Sequence, residues 1–300
     1  MTHPKVSIIL LTKNAEDEIS TLLDRIRSQA YPGDTELIVI DSGSTDGTTE
    51  KIREYDAEVY QIEPEEFHHS QTRNFGAERA SGEIIVYLVQ DALPRDSNWL
   101  TALVSPIVNG DASVVYGRQI AYPDAKPMDR FFYSYFYPDS RVEIDARDVA
   151  DKNAFYLEHV YISDVTSAIS SEVWDAIRFD DDVDMSEDKD FAFRAVERGE
   201  TVVYEPEAAV YHSHYYDLNS LFARRFNDGR AFAHITGGTD SGSFLKRGVR
   251  YFTSELEFMW TERKFHWIPY AILYDLVYYI SFNAGQFYGT YVEKRRFDSK

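Results

Sequence analysis

The feature that most constrains the fold of this chain is a regular alternation of apolar runs and helical periodicity over its first 120 residues. Residues 37–40 and 84–89 are continuous apolar runs and residues 6–11 are apolar except for Ser7, which is typical of strands buried on both faces. Residues 16–29 and 70–80, which lie between these runs, carry apolar side chains at helical spacing. Strands separated by single helices form βαβ units, so the pattern predicts an α/β fold with a Rossmann-like, mostly parallel sheet flanked by helices.

The alternation weakens in the second half of the chain. Residues 122–161 are rich in aromatic and charged side chains, and strand and helix patterns return between residues 165 and 204. From residue 219 onward the pattern is helical. The sequence has no internal repeat and no linker rich in Gly, Ser or Pro. It therefore predicts one α/β domain over residues 1–218 with a helical C-terminal extension over residues 219–300.

Composition excludes several kinds of site and partner. The chain contains no cysteine, which excludes disulfides, a thiolate nucleophile and a cysteine-ligated zinc site. A formal net charge of −20 argues against nucleic acid as a partner, because phosphates would be repelled. The same charge is typical of proteins from a high-salt cytoplasm, as in a halophile, where screening suppresses repulsion between carboxylates. The first residues do not follow a signal-peptide pattern, and we expect a cytoplasmic protein.

The charge is unevenly distributed along the chain. Residues 1–218 have a balance of −24, whereas residues 219–300 have a balance of +4 and are dense in aromatic side chains. Polar residues interrupt the apolar stretch 266–288, which makes it a poor spanning helix. An interfacial helix on an anionic membrane, with Lys294, Arg295 and Arg296 beside it, fits this composition. The alternative is a helix that simply packs on the α/β domain.

Polar residues follow three of the predicted strands at the point where each strand ends. They are Thr12-Lys13-Asn14, Asp41-Ser42-Gly43-Ser44 and Gln90-Asp91. Because ligands of open parallel sheets bind beyond the carboxyl ends of the strands, these segments predict one binding rim. The alternatives are an ordinary turn for the glycine-containing segment and a helix cap for Asp91. The sequence contains neither a phosphate-binding P-loop motif nor the dinucleotide-binding glycine motif.

Two later segments also carry candidate chemistry. Glu187 and Asp188 begin a predicted helix, where acids are favoured by the helix dipole. They are therefore either capping residues or a general base and its neighbour. His212 and His214 lie on the same face of an extended segment, and each is either a structural residue or a metal ligand.

In combination and in this order, these segments resemble family 2 glycosyltransferases of GT-A fold over residues 4–214. The resemblance rests on VSIILLTKNAEDEI, ELIVIDSGSTDGTTE, TRNFGAERASGE, a strand ending in QDALP, SEDKDFAFRAVERGE and a histidine-containing strand. The segment FHHSQTRNFGAERASGEIIVYLVQDALPRDSNWL is most similar to the rhamnosyltransferase-like branch of that family.

The resemblance implies a role for each matching residue. The residues implied at the donor nucleotide are Thr12, Asn14, Glu18, Asp41, Ser42, Arg73 and Gln90. A guanidinium at Arg73 could pair with diphosphate oxygens. Asp91 matches the aspartate that ligates a divalent metal, and His212 matches a position that completes the metal shell in some relatives, for Mg²⁺ or Mn²⁺. The first aspartate of the family signature is replaced by Val89, so Asp91 would hold the metal with less help.

The implied reaction is sugar transfer with inversion at the anomeric carbon. Asp188 matches the general base, and Glu187 beside it would orient or contact the substrate. The donor would be a nucleotide-diphosphate sugar, carrying rhamnose or another hexose-type residue. If the C-terminal extension binds membrane, the acceptor would be a lipid-linked saccharide in surface-glycan or N-glycan assembly, and the protein would sit peripherally on the cytoplasmic face of the membrane.

Two other functions stay open at the level of the sequence. One is a different transferase that handles sugar nucleotides, although a basic motif around a triphosphate is missing from the sequence. The other is a catalytically degenerate glycosyltransferase-like subunit that acts in binding or as a scaffold, which the valine at position 89 makes conceivable.

Overall fold

A computed structural model of the chain describes residues 3–145, 152–183, 185–237 and 241–293. The chain divides into two compact units. The first comprises Met1–Ile120 and Phe136–His212, and the second comprises Ala121–Tyr135 and Ser213–Lys300. The predicted boundary after residue 218 falls inside the second unit, which also takes up a segment from the middle of the sequence.

Strands and helices alternate through the first unit, and helices make up the second. The described strands are β1 (Val6–Thr12), β2 (Thr35–Asp41), β3 (Glu58–Gln61), β4 (Ile84–Val89), β5 (Leu93–Pro94), β6 (Val114–Ile120), β7 (Val142–Ile144), β8 (Thr166–Ser170) and β9 (Val202–Tyr211). The described α-helices are α1 (Ile19–Arg27), α2 (Thr48–Ile52), α3 (His69–Ala77), α4 (Trp99–Val108), α5 (Pro127–Phe136), α6 (Lys152–Glu158), α7 (Ser171–Ile177), α8 (Glu187–Glu197), α9 (Leu218–Thr236), α10 (Ser241–Thr261) and α11 (Ile268–Tyr288).

All of the described strands belong to one mixed sheet in the first unit, in the order β3-β2-β1-β4-β8-β6-β9-β5, with β7 paired to β9. Strands β3, β2, β1 and β4 run parallel to one another, and β6 runs parallel to β9. Strand β8 lies antiparallel between β4 and β6. The short strands β5 and β7 also pair antiparallel, each with β9. The predicted α/β sheet flanked by helices is confirmed, and β8 is the antiparallel strand in the middle of the sheet.

The core of the first unit lies against the central strands. Every residue of β1 from Val6 to Leu10 is buried, and β4 is buried from Ile84 to Leu88. These stretches are apolar apart from the buried Ser7 of β1, because helices cover both faces of the sheet. Trp99 at the start of α4 is fully buried, and its indole N–H donates to Thr166 Oγ1 at 2.9 Å. The core therefore joins α4 to the strand that reverses direction.

The pairing of β6 with β9 contains a bulge. Gly117 pairs with Glu205 whereas the next residue, Arg118, pairs with Ala209, so three extra residues of β9 lie between the two pairs. A Cβ at position 117 would lie 2.3 Å from the Ala208 carbonyl oxygen, so the bulge requires glycine there. Beyond the bulge, β9 leads into His212, whose N–H donates to the Ile120 carbonyl at 2.9 Å.

The second unit is helical, with α9 and α11 in close contact. A Cβ at Gly229 would lie 2.0 Å from the Phe282 carbonyl oxygen, and one at Gly285 would lie 2.0 Å from the Phe226 carbonyl oxygen. These two glycines let the helix backbones touch. Helix α9 begins with a capping box in which the Asp217 carboxylate accepts from the Ser220 N–H, and it ends at Gly237 in the left-handed conformation.

Helix α11 leaves one apolar face exposed. Ile272, Leu273, Leu276, Ile280 and Phe287, here called the α11 stripe, are each 44–60% exposed. At about 100° per residue these positions fall within a sector of about 100° along roughly 22 Å of helix. In the described part of the chain, the helices are too short or too polar to cross a membrane. The basic residues Lys294, Arg295 and Arg296 lie outside the described residues.

Candidate active site

The sheet order brings the three predicted strand ends together. Strand β1 lies between β2 and β4, with Thr12 paired to Asp41 and Leu11 paired to Val89. The hydroxyl of Thr12 lies 3.3 Å from Asp41 Oδ2, and the N–H of Ser42 donates to the Thr12 carbonyl at 2.9 Å. Asp41 is fully buried, which fixes the end of β2 against the end of β1.

Asn14 and Asp41 shape the loop that follows β2. The Ser44 N–H donates to Asp41 Oδ1 at 3.0 Å, and the Ser44 hydroxyl also donates to the Asp41 carboxylate. Asn14 has a positive φ of 48° and accepts from the Thr45 N–H at 2.9 Å through its side-chain oxygen. The loop therefore has a defined shape, built from side chains that the sequence predicts at the donor nucleotide.

Gln90 joins the end of β4 to the loop after β1. Its Oε1 accepts from the Lys13 N–H at 2.6 Å, and its Nε2 donates to the Lys13 carbonyl at 3.1 Å. Both ends of the amide are therefore engaged with one backbone unit. Glu18, at the start of α1, has its pKa raised by burial and by the nearby carboxylates of Asp91, Asp17 and Asp46. Acidic groups thus concentrate on this rim.

Asp91 and His212 approach each other in the first unit. His212 is 3% exposed, and its Nε2 lies 3.5 Å from Asp91 Oδ2. On the other side of the ring, Nδ1 lies 2.8 Å from Gln119 Oε1. Because a carbonyl oxygen only accepts, Nδ1 carries the hydrogen, and in the neutral imidazole Nε2 then has the lone pair that a metal would need. One carboxylate oxygen and one imidazole nitrogen fit Mn²⁺, and Mg²⁺ through the oxygen.

A buried charge cluster surrounds the start of α8. Arg73 of α3 is 5% exposed, and its Nη1 lies 2.8 Å from Glu187 Oε1. Its Nε lies 3.3 Å from Oδ2 of Asp164, which is 1% exposed. Burial raises the pKa of both Glu187 and Asp164, an effect that Arg73 opposes. We name Arg73, Asp164 and Glu187 the charge cluster.

Asp188 is held from several directions. The Asp164 N–H donates to Asp188 Oδ2 at 3.3 Å, and the Lys189 N–H donates to Asp188 Oδ1 at 2.8 Å. The hydroxyl of Tyr116, on β6, donates to the Asp188 backbone carbonyl at 3.1 Å. Ser186, just before α8, has a left-handed φ of 65°. The carboxylate is therefore fixed while its side chain stays partly accessible.

Two residues of this region are absent from the sequence-based expectations. Asp164 belongs to the stretch YISDVTSAIS, and Gln119 lies within β6. The local signal at Asp164 is that an acidic residue immediately precedes a run of small and β-branched residues, VTSAIS. Gln119 gives a weaker signal, because it follows Arg118 within β6 and is one of two polar side chains at the end of that strand.

Residues 7–163 match the family model described as Glycosyl transferase family 2. The matched segment is more than half of the chain, so this protein belongs to glycosyl transferase family 2. It is a glycosyltransferase, as the order of motifs in the sequence predicts.

Similar proteins cover most of its length. The O-antigen chain rhamnosyltransferase RfbN of Salmonella typhimurium is 29% identical over 287 residues, which is 94% of this chain and 90% of that protein. Glycosyltransferase AglE of Haloferax volcanii is 31% identical over 170 residues, covering 55% of this chain and 56% of that protein.

Solved structures share the fold. The mannosyltransferase PcManGT from Pyrobaculum calidifontis, in complex with GDP-Man and Mn²⁺, has a TM-score of 0.63 at 18% identity and covers 96% of this chain and 88% of its own. Glucosyl-3-phosphoglycerate synthase from Mycobacterium tuberculosis was solved with Mn²⁺, UDP and glucosyl-3-phosphoglycerate. It has a TM-score of 0.56 at 20% identity, and the match covers 80% of this chain and 82% of that protein. The predicted GT-A fold is confirmed by these likenesses.

Proposed function

We propose that the protein is an inverting, metal-dependent glycosyltransferase that moves a hexose-type sugar, such as rhamnose, from a nucleotide-diphosphate donor to a hydroxyl of a lipid-linked saccharide. The observation that carries the proposal is the fixed Asp188 carboxylate, held by the Asp164 N–H at 3.3 Å in the same unit as the Asp91–His212 pair. The likeness to a rhamnosyltransferase of O-antigen chains supports the sugar and the acceptor.

The rim at the ends of β1, β2 and β4 would receive the donor nucleotide. Its proposed residues are Thr12, Asn14, Glu18, Asp41, Ser42 and Gln90. The family resemblance adds Arg73, whose side chain contacts Glu187 and Asp164 in the structure. Several of these side chains already bond to the backbone of the rim, as Gln90 does to Lys13 and Asn14 does to Thr45. They would act by giving the rim a fixed shape, into which the base and ribose fit without much loss of side-chain entropy.

Asp91 and His212 would hold a Mn²⁺ or Mg²⁺ ion, which supplies positive charge to the departing diphosphate. PcManGT, a protein of the same fold, was solved with GDP-Man and Mn²⁺. The hydrogen bond between His212 Nδ1 and Gln119 aims the lone pair of Nε2 at the Asp91 side, which suits this role.

A carboxylate of the chain would take up the proton that the acceptor hydroxyl loses. Asp188 would accept the proton of the acceptor hydroxyl while that oxygen forms a bond to the anomeric carbon. The bond from the anomeric carbon to the diphosphate oxygen breaks, and the electron pair leaves with the nucleoside diphosphate. Attack opposite to the leaving group inverts the anomeric configuration. Glu187, paired with Arg73, would orient the start of α8.

The acceptor would reach the protein at a membrane surface. The α11 stripe is an exposed, uncharged apolar face, and residues 219–300 carry a balance of +4 within a chain of net charge −20. Both features suit peripheral contact with an anionic membrane, on its cytoplasmic face. A lipid-linked saccharide in surface-glycan or N-glycan assembly would be delivered there.

Transfer assays test this proposal directly. The protein would be incubated with UDP-, GDP- and dTDP-sugars and a lipid-linked acceptor, with Mn²⁺ or with a chelator, and the linkage of the product read by NMR. We expect transfer with inversion that the chelator removes. Asp188→Asn should lose about 100-fold or more of the rate and still bind donor. An active Asp188→Asn variant, or a wild type that only binds the sugar nucleotide, would contradict the proposal; the latter would favour a binding or scaffold role.

A further inference from the structure

Arg73 makes none of the rim contacts described above; it is buried and is paired within the protein. Its guanidinium lies 2.8 Å from Glu187 and 3.3 Å from Asp164, and Nη1 also lies 3.3 Å from the His69 carbonyl oxygen. At 5% exposure, the side chain makes these contacts almost out of reach of solvent. Its partners within the protein are therefore two carboxylates, the His69 carbonyl and the His69 ring nitrogen Nδ1, at 3.4 Å.

Both acidic residues of the charge cluster are connected to Asp188. Glu187 is its neighbour in the chain, and Asp164 donates its N–H to Asp188 Oδ2 at 3.3 Å. Asp164 is itself held by the Ser167 hydroxyl, which donates to its Oδ1 at 2.7 Å. Arg73 thus connects α3, the residues before β8 and the start of α8 through one side chain.

The charges explain why this connection is strong. Two buried carboxylates share one cation. Removing one partner of a buried ion pair leaves an uncompensated charge, and the surrounding residues must then move so that water can reach that charge. Here the elements that would move carry Asp188. A displacement of about 1 Å in a reacting group costs about 100-fold in rate.

We propose that Arg73 is a positioning residue that fixes Asp188 through Glu187 and Asp164, in place of the diphosphate contact that the family resemblance implies. The inference rests on the proposed function, because Asp188 is taken as the base. The two possible roles of Arg73 differ in what they do to donor affinity. A diphosphate ligand contributes to binding of the nucleoside diphosphate, whereas a positioning residue contributes to the rate alone.

Arg73→Met and Arg73→Lys test this difference. Binding of UDP, GDP and dTDP in the presence of Mn²⁺ would be measured by calorimetry. The values of kcat and KM would be measured with the sugar nucleotide that the wild type uses. We expect Arg73→Met to lower kcat about 100-fold, with the Kd of the nucleoside diphosphate changed less than about twofold. The acid limb of the kcat–pH profile should move to higher pH, because the carboxylates lose a neighbouring cation. Arg73→Lys should recover part of the rate.

Arg79→Met is the matched control, since Arg79 lies just beyond α3 and stacks on Phe75 at 3.3 Å without meeting the charge cluster. It should leave kcat and the pH profile unchanged. A tenfold or larger rise in the Kd of the nucleoside diphosphate in Arg73→Met, with kcat retained, would overturn the inference in favour of the diphosphate role. Unchanged kcat, KM and pH profile would overturn it as well.

A thermal double-variant cycle keeps the inference testable if Arg73→Met folds poorly or if the wild type transfers no sugar. Removing the charge of both partners in Arg73→Met/Glu187→Gln should raise Tm above that of Arg73→Met alone. Additive Tm changes would overturn the pairing. Absence of transfer by the wild type would count against the proposed function, while the Tm cycle would still decide whether Arg73 supports Glu187.

Discussion

The imidazole of His212 is oriented by a residue on a neighbouring strand. Gln119 on β6 is 3% exposed and accepts from His212 Nδ1, so it acts on the ring without facing Asp91. Partners of this kind fix both the tautomer and the direction of a metal-binding histidine. A substitution at Gln119 should therefore weaken metal binding at the proposed site without changing a metal ligand.

Gln119→Leu should raise the Mn²⁺ concentration needed for half-maximal transfer by about 10–100-fold, because the ring loses its orienting acceptor. The rate at saturating Mn²⁺ should change little. Titration of activity with Mn²⁺ after chelator treatment measures both quantities. Gln119→Glu keeps an oxygen acceptor and serves as the control, for which we expect nearly wild-type Mn²⁺ affinity. An unchanged Mn²⁺ dependence in Gln119→Leu would argue against His212 as a ligand.

Some site residues are accessible to sequence reasoning, and others are not. Asp91 ends an apolar run and Asp188 begins a helical pattern, so each is marked by a change in local pattern. Asp164 and the paired state of Arg73 depend on contacts between residues 91 positions apart, which no local pattern encodes. The motif around Arg73 predicts an arginine near the rim, but it does not say which carboxylates the guanidinium meets.

Helix α11 packs on both α9 and α10 in the second unit, through different residues in each case. Helices α9 and α11 touch at Gly229 and Gly285, where a Cβ would meet a backbone carbonyl at 2.0 Å. Helix α10 contributes the buried Glu255, and helix α11 contributes the half-buried Asp275. The first contact leaves no room for a larger residue, and the second is sensitive to pH.

Gly285→Ala should destabilise the protein by about 1–3 kcal/mol, because the two backbones must move apart to admit a methyl group. Gly248→Ala is the control: position 248 lies in α10 with no atom within 4 Å of a Cβ there. Alanine favours helix over glycine by up to about 1 kcal/mol, so this variant should be slightly stabilised. Urea unfolding of both variants gives the comparison. Equal stability of the two variants would contradict the close contact.

Glu255→Gln should flatten the dependence of stability on pH. Burial, with Asp275 and Asp129 nearby, raises the pKa of Glu255 to about 9. Between about pH 4.5 and 9 the native state therefore holds a proton that the unfolded state releases, so stability falls as pH rises through this window. The variant should match the wild type near pH 5 and exceed it at pH 8. Denaturant unfolding at several pH values measures this. Glu257→Gln, on the exposed side of α10, should retain the wild-type slope.

The order and type of elements were predictable where a local pattern determines them. The buried strands β1 and β4 and the helix α1 follow from apolar periodicity, and the structure places them within a few residues of the predicted bounds. The direction of β8 depends on strand pairing across the chain. The membership of most of α5 in the helical unit depends likewise on distant contacts. Neither leaves a mark on local sequence.

At the scale of the whole molecule, charge and apolar surface are divided between the parts of the chain. The protein carries 51 acidic and 31 basic side chains, yet residues 219–300 have a balance of +4. The α11 stripe belongs to the second unit. An anionic surface would therefore repel residues 1–218, which are strongly acidic, and would not repel residues 219–300.

Flotation with liposomes tests the proposed membrane contact. We expect the protein to float with vesicles of phosphatidylcholine and phosphatidylglycerol, and less with phosphatidylcholine alone, because acidic lipid adds electrostatic attraction. Ile280→Asp, within the α11 stripe, should reduce the floating fraction severalfold. Val108→Asp, at a position 42% exposed at the end of α4 in the first unit, should not. Equal flotation of both variants, or none by the wild type at any salt concentration, would contradict the membrane contact.

The bulge opposite Gly117 has a consequence for how the family can vary in length. Paired residues of neighbouring strands point to the same face, so the pairing of β9 with β6 from Ala209 onward sets the face of the residues that lead to His212. Residues 206–208 have no partner on β6, so an insertion confined to them would leave that pairing in place. Functional relatives should therefore vary in length here, and insertion of one residue within 206–208 should leave the Mn²⁺ dependence of transfer intact.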